Sequence, residues 1–596
     1  MRLSKSHLFS IAAISFVITI LSSVISVAIE TGSVQQPQNE YSSIGFIPSK
    51  ADSVVFGSNK RRFRDTTIIH DSLPSTNTQA PSRAYLIKSR YPNIRVDNSS
   101  QNFQPQEMSI AINPTNPNNL VAGSNKKYYF YSFDKGATWT GKTQTSQYNM
   151  CGDPCIVFDL DGVVYYGHIS EPASYWPDRI VVHKSTDNGA TWSQEYGIGY
   201  AMLNATEAKN QDKEWLAVDL SGSPYKNSVY VSWTEFDKYD SSNPQHKTKI
   251  RFSYTRDKGA KWSEPIVISD TMGGCLDDDN AVEGAVPAVG PNGEVYDCWA
   301  AYEKIYFDKS LDGGVTFGKD KVIAHQLGGW TYAVSGVYRC NGMPIVCTDI
   351  SNTHYRGNIY VNWSDQRNGA TDTDIFFIKS TDGGQTWTSP FKVNNDTSKR
   401  HQFFCWMCVD PITAYIYIVF YDRRNTTGDA TDVYVARSKD GGDTFENMLV
   451  SQSSFTPTST VFFGDYTGIA AYNGTAYPIW SRMDNGKLSA YIAVITETVP
   501  VIHALENKSL KNFELVKSSL NPTTLQASVT IKIQTPQKLT LFIYSLQGKL
   551  LKTISKTCTH PGEHTLRWDA SNKGSGVCLY KISTDNTSLV QRLFVF

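Results

Sequence analysis

The sequence predicts an all-β chain: a β-propeller, seven blades by the count below with six the alternative, followed by a small C-terminal β-sandwich. Three observations carry that expectation. Aromatic residues make up 12% of the 596 positions, with 33 Tyr, 27 Phe and 13 Trp, side chains that pack well on a pleated surface. One eight-residue motif recurs six times at the spacing of a four-stranded unit. After it the pattern changes to short alternating strands broken by regular turns. Hydrophobic content of 40% against 19% charged excludes a disordered chain. With 56 basic and 56 acidic residues there is no net field to draw a polyanion, so no nucleic-acid partner is expected.

At the N-terminus Arg2 and Lys5 precede an apolar run from Leu8 to Ile20, and Ser26-Val27-Ala28 offers a small-x-small cleavage site. That is the three-part form of a secretory signal peptide over residues 1–28. A membrane anchor is the alternative, although Ser15, Thr19, Ser22 and Ser23 interrupt its core. A polar connector follows over 29–84. Export through the periplasm puts the ten cysteines in an oxidising setting. Their local pairs, Cys151/Cys155, Cys275/Cys298, Cys340/Cys347, Cys405/Cys408 and Cys558/Cys578, lead to an expectation of disulfides, with zinc held by the first and fourth pairs as the alternative. Connectivity stays open.

The repeated motif is Ser/Thr-x-Asp-x-Gly-x-Thr/Lys-aromatic, from Ser132 to Trp139 in its first copy. Its aspartates are Asp134, Asp187, Asp257, Asp312, Asp382 and Asp440, spaced 53, 70, 55, 70 and 58 residues apart. Its physics is that of a hairpin turn: the carboxylate accepts from the loop's own N–H groups, Gly supplies a positive φ, and the aromatic ring returns the chain to a strand. These aspartates are therefore structural.

Around each motif the same strands recur. In the fifth unit they are expected at 345–349, 358–363, 375–379 and 391–393. A seventh unit without the motif follows, at 468–471, 475–480 and 490–495, and its outer strand is expected from the N-terminal side, either 85–87 or 94–96. A ring closed that way leaves no long sheet edge exposed. The propeller should span 85–499, with a linker over 500–514 and the sandwich over 515–596.

These boxes resemble the Asp-box (bacterial neuraminidase) repeats of sialidase-like β-propellers, and the resemblance covers roughly Tyr85 to Val499. The C-terminal stretch resembles the type A sorting domain of the type IX secretion system of Bacteroidetes, on Asn521-Pro522 at its start, Gly548-Lys549 in its middle and Gly576-Val577 with Tyr580 near its end. A carbohydrate-binding or immunoglobulin-like module is the alternative for that stretch. The resemblances imply export to the cell surface or beyond, the type IX machinery as one partner and a glycan or glycoprotein as another; a monomer is expected.

In a propeller blade the boxes lie on one rim, while first strands begin and second strands end on the other. Polar residues on that second rim and the central funnel are the candidates for a site. A sialidase grips its sugar's carboxylate with Arg forks and attacks with a Tyr activated by a Glu, an Asp serving as acid and base. The resemblance assigns Asp153, Glu283 and Tyr466 to catalysis and Arg339, Arg367, Arg424 and Arg482 to substrate binding, with Arg95 as the first arginine of the series. The Phe/Tyr-Arg-Ile-Pro signature of sialidases is absent; Asn93-Ile94-Arg95-Val96-Asp97 lacks its proline. The repeated Asp365/Arg367 and Asp422/Arg424 pairs admit a second role, bracing loops blade by blade. Two functions follow: an exo-acting glycoside hydrolase of sialidase type, or a non-catalytic surface propeller that binds glycan or protein. No organic cofactor is expected; Asp277-Asp278-Asp279 is either a calcium loop or a solvated acidic turn.

Overall fold

The computed structural model describes residues 89, 91–97, 103–172, 176–496, 513–520, 526–544, 550–569, 576–584 and 588–595. The expected signal peptide, the connector over 29–84 and the linker from 500 to 512 lie outside them.

Seven four-stranded antiparallel meanders follow one another among the described residues, over 109–143, 152–198, 210–267, 283–325, 345–392, 402–449 and 468–493. The last takes its fourth strand from Asn93–Arg95, which pairs with Lys487–Ala493 so that Ile94 faces Ile492. This is the second of the two expected closures; the other candidate, 85–87, lies outside the described residues. The first strand of each sheet packs on the first strand of the next, and that of the seventh packs back on the first. The chain is thus a closed ring, a β-propeller. In the fifth blade the strands run Ile345–Thr348, Ile359–Asp365, Asp374–Ser380 and Phe391–Lys392, within two residues of the expected ones. Second strands are buried on both faces, and Trp233, Trp299, Trp363 and Trp480 on four of them are wholly enclosed. That is why these strands read as continuous apolar runs.

The Asp boxes join neighbouring blades as well as turning the chain. In the first, Asp134 accepts from the Thr138 N–H at 2.9 Å and the Thr138 hydroxyl at 2.6 Å, while Ser132 donates to it at 2.8 Å and receives the Gly136 N–H at 2.9 Å. The hydroxyl bond is the main reason its carboxyl sits below the usual range. The same bonds form at Asp187, Asp312, Asp382 and Asp440; at Asp257, where Lys261 replaces Thr, the hydroxyl bond is missing. Five of the six box glycines, all but Gly259, then press against the preceding blade. A Cβ on Gly189 would lie 2.5 Å from Val121, on Gly314 2.7 Å from Phe252, on Gly384 2.6 Å from Phe307, on Gly442 2.7 Å from Phe377, and on Gly136 2.7 Å from Ile492 of the closing blade.

A cation from the preceding blade also reaches each later box. Lys142 donates to the Ala190 carbonyl at 2.8 Å, Lys184 to Lys258 at 3.0 Å, Arg256 to Gly313 at 2.9 Å, Lys309 to Gly383 at 2.7 Å and Lys379 to Gly441 at 3.0 Å. The joint between the sixth and seventh blades has no box. There the Asp410 carboxylate takes the backbone N–H groups of Asn473 and Gly474 at 3.0 and 2.6 Å.

The cysteines correct one expectation. All nine described cysteines are free thiols, not sequence-neighbour disulfides. Cys405 lies beside Asn362 and Ser364 of the preceding blade and Cys408 beside its Cys347, so the two do not meet each other. Cys155 is turned to the Leu216 N–H of the next blade at 3.3 Å, leaving Cys151 at the surface. Cys347 likewise faces the Met407 carbonyl of the next blade.

Inside the second blade His168 and His183 are buried with their Nε2 atoms 2.9 Å apart, and Gln144 meets His183 Nδ1 at 3.0 Å. Burial lowers both imidazoles, to about 3 for His168, where His183 adds to the effect, and to about 4 for His183, against which Glu195 acts. Both are neutral in the folded chain and protonate readily only when it unfolds. The unfolded state therefore binds more protons below its pKa near 6.5, and stability is lost as pH falls from there through about 4. At about 1.4 kcal/mol per pKa unit each imidazole contributes a few kcal/mol of acid sensitivity. Replacing both by Leu should flatten the pH 6.5 to 4 limb of a urea-unfolding series; an unchanged slope would remove this account.

The C-terminal sandwich stacks a three-stranded sheet, Phe513–Leu520, Gln526–Ile533 and Gly562–Asp569, on a four-stranded one, Leu550–Cys558, Gln537–Tyr544, Gly576–Ser583 and Ser588–Val595. Ala527, Val529, Ile531 and Ile533 alternate inward against Leu539, Leu541 and Ile543. Its first strand starts at Phe513, just ahead of the expected boundary. The expected turn at 547–549 lies outside the described residues.

Candidate functional site

Because every sheet is a four-stranded meander, the first strands all begin on the rim opposite the boxes. There the pairing slips, between Gly152 and Cys155, Asp212 and Trp215, Glu283 and Val286, and Phe403 and Trp406. Each gap holds a residue at positive φ: Asp153 at 54°, Lys213 at 53°, Gly284 at 76° and Phe404 at 51°, with Glu107 at 50° just before the first blade. A bulge breaks the strand's strict alternation and re-aims side chains. Holding a non-glycine residue there costs about 1–3 kcal/mol, a strain that tends to gather at functional sites.

The re-aimed groups meet around Asp465, at the start of the seventh blade. Lys213 Nζ lies 2.7 Å from Asp465 Oδ2 and 3.6 Å from Asp153 Oδ2. Arg339 grips the same carboxylate with Nε, at 2.9 Å, and Nη2. Glu107 accepts the Asp465 N–H at 3.1 Å, and Asn341 donates to the Asp465 carbonyl at 3.2 Å. Burial alone would raise the Asp465 carboxyl, but the two cations hold it far below the usual range. The other acids shift the opposite way. Burial, backed by neighbouring carboxylates, lifts Glu107, Glu214 and Glu283 well above normal and Asp212 to about 7. Glu107 Oε2 and Glu283 Oε2 have no hydrogen-bond partner. Glu214 is turned away, its Oε1 close to Gly167 between the second and third blades.

Above this cluster the rim opens. The Arg339 side chain is 44% exposed, with Nη1 4.0 Å from Asp277. Asp277 accepts from the Tyr239 hydroxyl at 2.7 Å and from Trp330 Nε1 at 3.3 Å. Trp176 stacks on Tyr239 with ring centroids 4.3 Å apart and is itself 40% exposed. Below the cluster the axis is shut by Trp215, Trp406 and Tyr466: the tryptophans lie 4.1 Å apart, and Tyr466 is 5.5 Å from each.

Of the residues singled out from sequence, Asp153, Glu283, Arg339 and Tyr466 come to this axis; Arg367, Arg424, Arg482 and Arg95 do not join the cluster. Arg367 is forked onto Asp365 and lies over Phe376 at 4.0 Å. Arg424 holds Asp422 at 2.7 Å together with Asn395 and Asn447. Arg482 is forked onto Asp484, and Arg95, on the closing strand, onto Asp97. The Tyr466 hydroxyl is buried without a partner, and burial raises it well above a normal phenol, with Asp153 adding to the shift. The acidic run does not converge. Asp277 serves Tyr239, Asp278 the Asn280 N–H at 2.8 Å and Asp279 the Thr331 N–H at 3.0 Å. Among the described residues no group of three His, Cys, Asp or Glu is placed to hold a metal. Sequence reasoning missed Lys213, though it stands between two rim carboxyls, and the Trp176–Tyr239 stack, whose members come from different blades and carry no motif.

Comparison with known proteins bears most directly on the C-terminus. The family model for the secretion system C-terminal sorting domain matches residues 521–596. The chain therefore carries the sorting signal of the type IX machinery, and it is secreted or held at the cell surface. No curated protein matches the chain. Similar solved structures include the α-L-arabinofuranosidase Arb93A from Fusarium graminearum, 13% identical, covering 69% of this chain and 98% of that one, TM-score 0.38. YCF48 bound to D1 peptide is 12% identical, with coverage of 69% and 96% and TM-score 0.36. Trypanosoma rangeli sialidase in complex with the inhibitor DANA is 12% identical, with coverage of 76% and 85% and TM-score 0.36.

Proposed function

We propose that this exported propeller captures a glycan at the mouth of its ring. The carrying observation is the half-open Arg339, set between Asp465 and Asp277 and next to the exposed Trp176 on Tyr239. It combines polar groups tied to one another by hydrogen bonds and an ion pair with an aromatic face on one rim. Capture is the better-supported reading than sialidase-type hydrolysis. The Tyr466 phenol has no base bonded to it and belongs to the plug that closes the axis.

Two measurements on the purified full-length protein test this. A glycan array should register binding that Arg339→Met removes and Tyr466→Phe leaves intact; an array with no signal at high protein concentration ends the glycan reading. A 4-methylumbelliferyl sialoside should release no fluorophore. Release that disappears in Tyr466→Phe would establish hydrolysis instead.

A further inference from the structure

An acidic sugar needs an uncommitted cation, and the two cations nearest Asp277 and Trp176, Arg339 and Lys213, are both committed. Lys213 is 9% exposed and lies between Asp465 and Asp153. Arg339 commits Nε and Nη2 to Asp465, and its remaining nitrogen faces Asp277. Arg367, Arg424 and Arg482, at neighbouring second-strand ends, are each forked onto a carboxylate of their own blade, and Arg423 beside Arg424 is 1% exposed, out of a ligand's reach. Bidentate recognition of a ligand carboxylate needs two parallel N–H groups on one guanidinium edge, and the Nε–Nη2 edge of Arg339 is already taken by Asp465.

An acceptor, by contrast, is open: Asp277 keeps 28% of its side chain exposed at the rim. Sugar hydroxyls are donors, and a carboxylate acceptor makes the stronger, charge-assisted kind of bond. A negative charge on the sugar would instead meet the exposed Asp277 carboxylate. The exposed Trp176 face adds a flat apolar surface suited to the C–H side of a sugar ring.

We infer that the glycan taken at this mouth is an uncharged sugar chain, its hydroxyls donating to Asp277 and one ring lying on Trp176. This rests on the glycan-capture reading and specifies its ligand class. It runs against the acidic-sugar specificity that the Asp-box resemblance implied.

The test is an array of matched glycan pairs, each printed with and without a terminal sialic or uronic acid, probed with the full-length protein. The uncharged member should bind at least about tenfold more tightly than its acidic partner. Trp176→Ala and Asp277→Asn should each weaken binding of the uncharged member about tenfold, with thermal unfolding close to that of the parent. Preference for the acidic members, or equal binding of both, overturns the inference while leaving glycan capture standing. Binding to neither overturns glycan capture itself. Undiminished binding by both variants, each still folded, removes the ligand from this mouth.

Discussion

Asp465→Asn lowers the free energy of unfolding by about 3 kcal/mol, the lower end of the range for breaking a buried ion pair by removing one partner. The amide keeps the shape of the side chain and loses its charge. Lys213, at 8% side-chain exposure, is left with only Asp153, 3.6 Å away. Arg339, 44% exposed, turns to water and contributes little. The loss therefore comes mainly from one buried ammonium without its counter-ion. Removing that charge as well, in Asp465→Asn/Lys213→Met, should recover most of the stability, because the damage is an uncompensated charge and not a lost contact. Denaturant midpoints of the two single variants and the double variant measure this directly. Strictly additive losses would mean that Lys213 and Asp465 do not act as a pair. Acid should leave the pair intact down to low pH. The two cations hold the folded Asp465 carboxyl well below its unfolded value, so its contribution is present above the unfolded pKa and is lost only as pH falls through the folded one.

The same pair shows where sequence reasoning stops. The boxes are legible because every interaction that defines them, from Ser132 to Trp139, is local; the strands are legible because burial on both faces leaves unbroken hydrophobic runs such as 416–421. Lys213 and Asp465 are 252 positions apart and meet only because the ring closes. Lys213 faces the axis only because a bulge sets it at positive φ, which no periodicity announces. Arg367, Arg424 and Arg482 look like a converging set in sequence since they recur at equivalent places, yet recurrence is what places each beside its own blade's aspartate. The cysteines depart from expectation for a related reason: Cys155 and Cys347 pack against Leu216 and Met407 of the next blade, neighbours that sequence spacing does not announce. The box glycine was read as a turn residue, and that was half of its role.

Gly384→Ala should cost about 2–5 kcal/mol, and comparison with Gly259→Ala separates the two halves of that role. Both glycines hold the same place in the box and the same φ of +79°. An alanine in the left-handed region pays about 1–2 kcal/mol at either site. At Gly384 the new Cβ would also lie 2.6 Å from Phe307 Cε1 of the preceding blade. That ring is 1% exposed and is held edge-on by Trp387 at 5.2 Å, so it has no room to withdraw. Overpacking of this kind adds about 1–3 kcal/mol. At Gly259 the nearest atom, on Tyr165, is 3.8 Å away, ordinary contact, and only the backbone strain applies. The difference between the two losses, read from urea midpoints at constant m-value, is therefore the part of the box that joins blade to blade. Equal losses would reduce the box glycine to a local turn. A larger loss at Gly384 makes the box a joint, with Gly136 against Ile492 the joint that closes the ring.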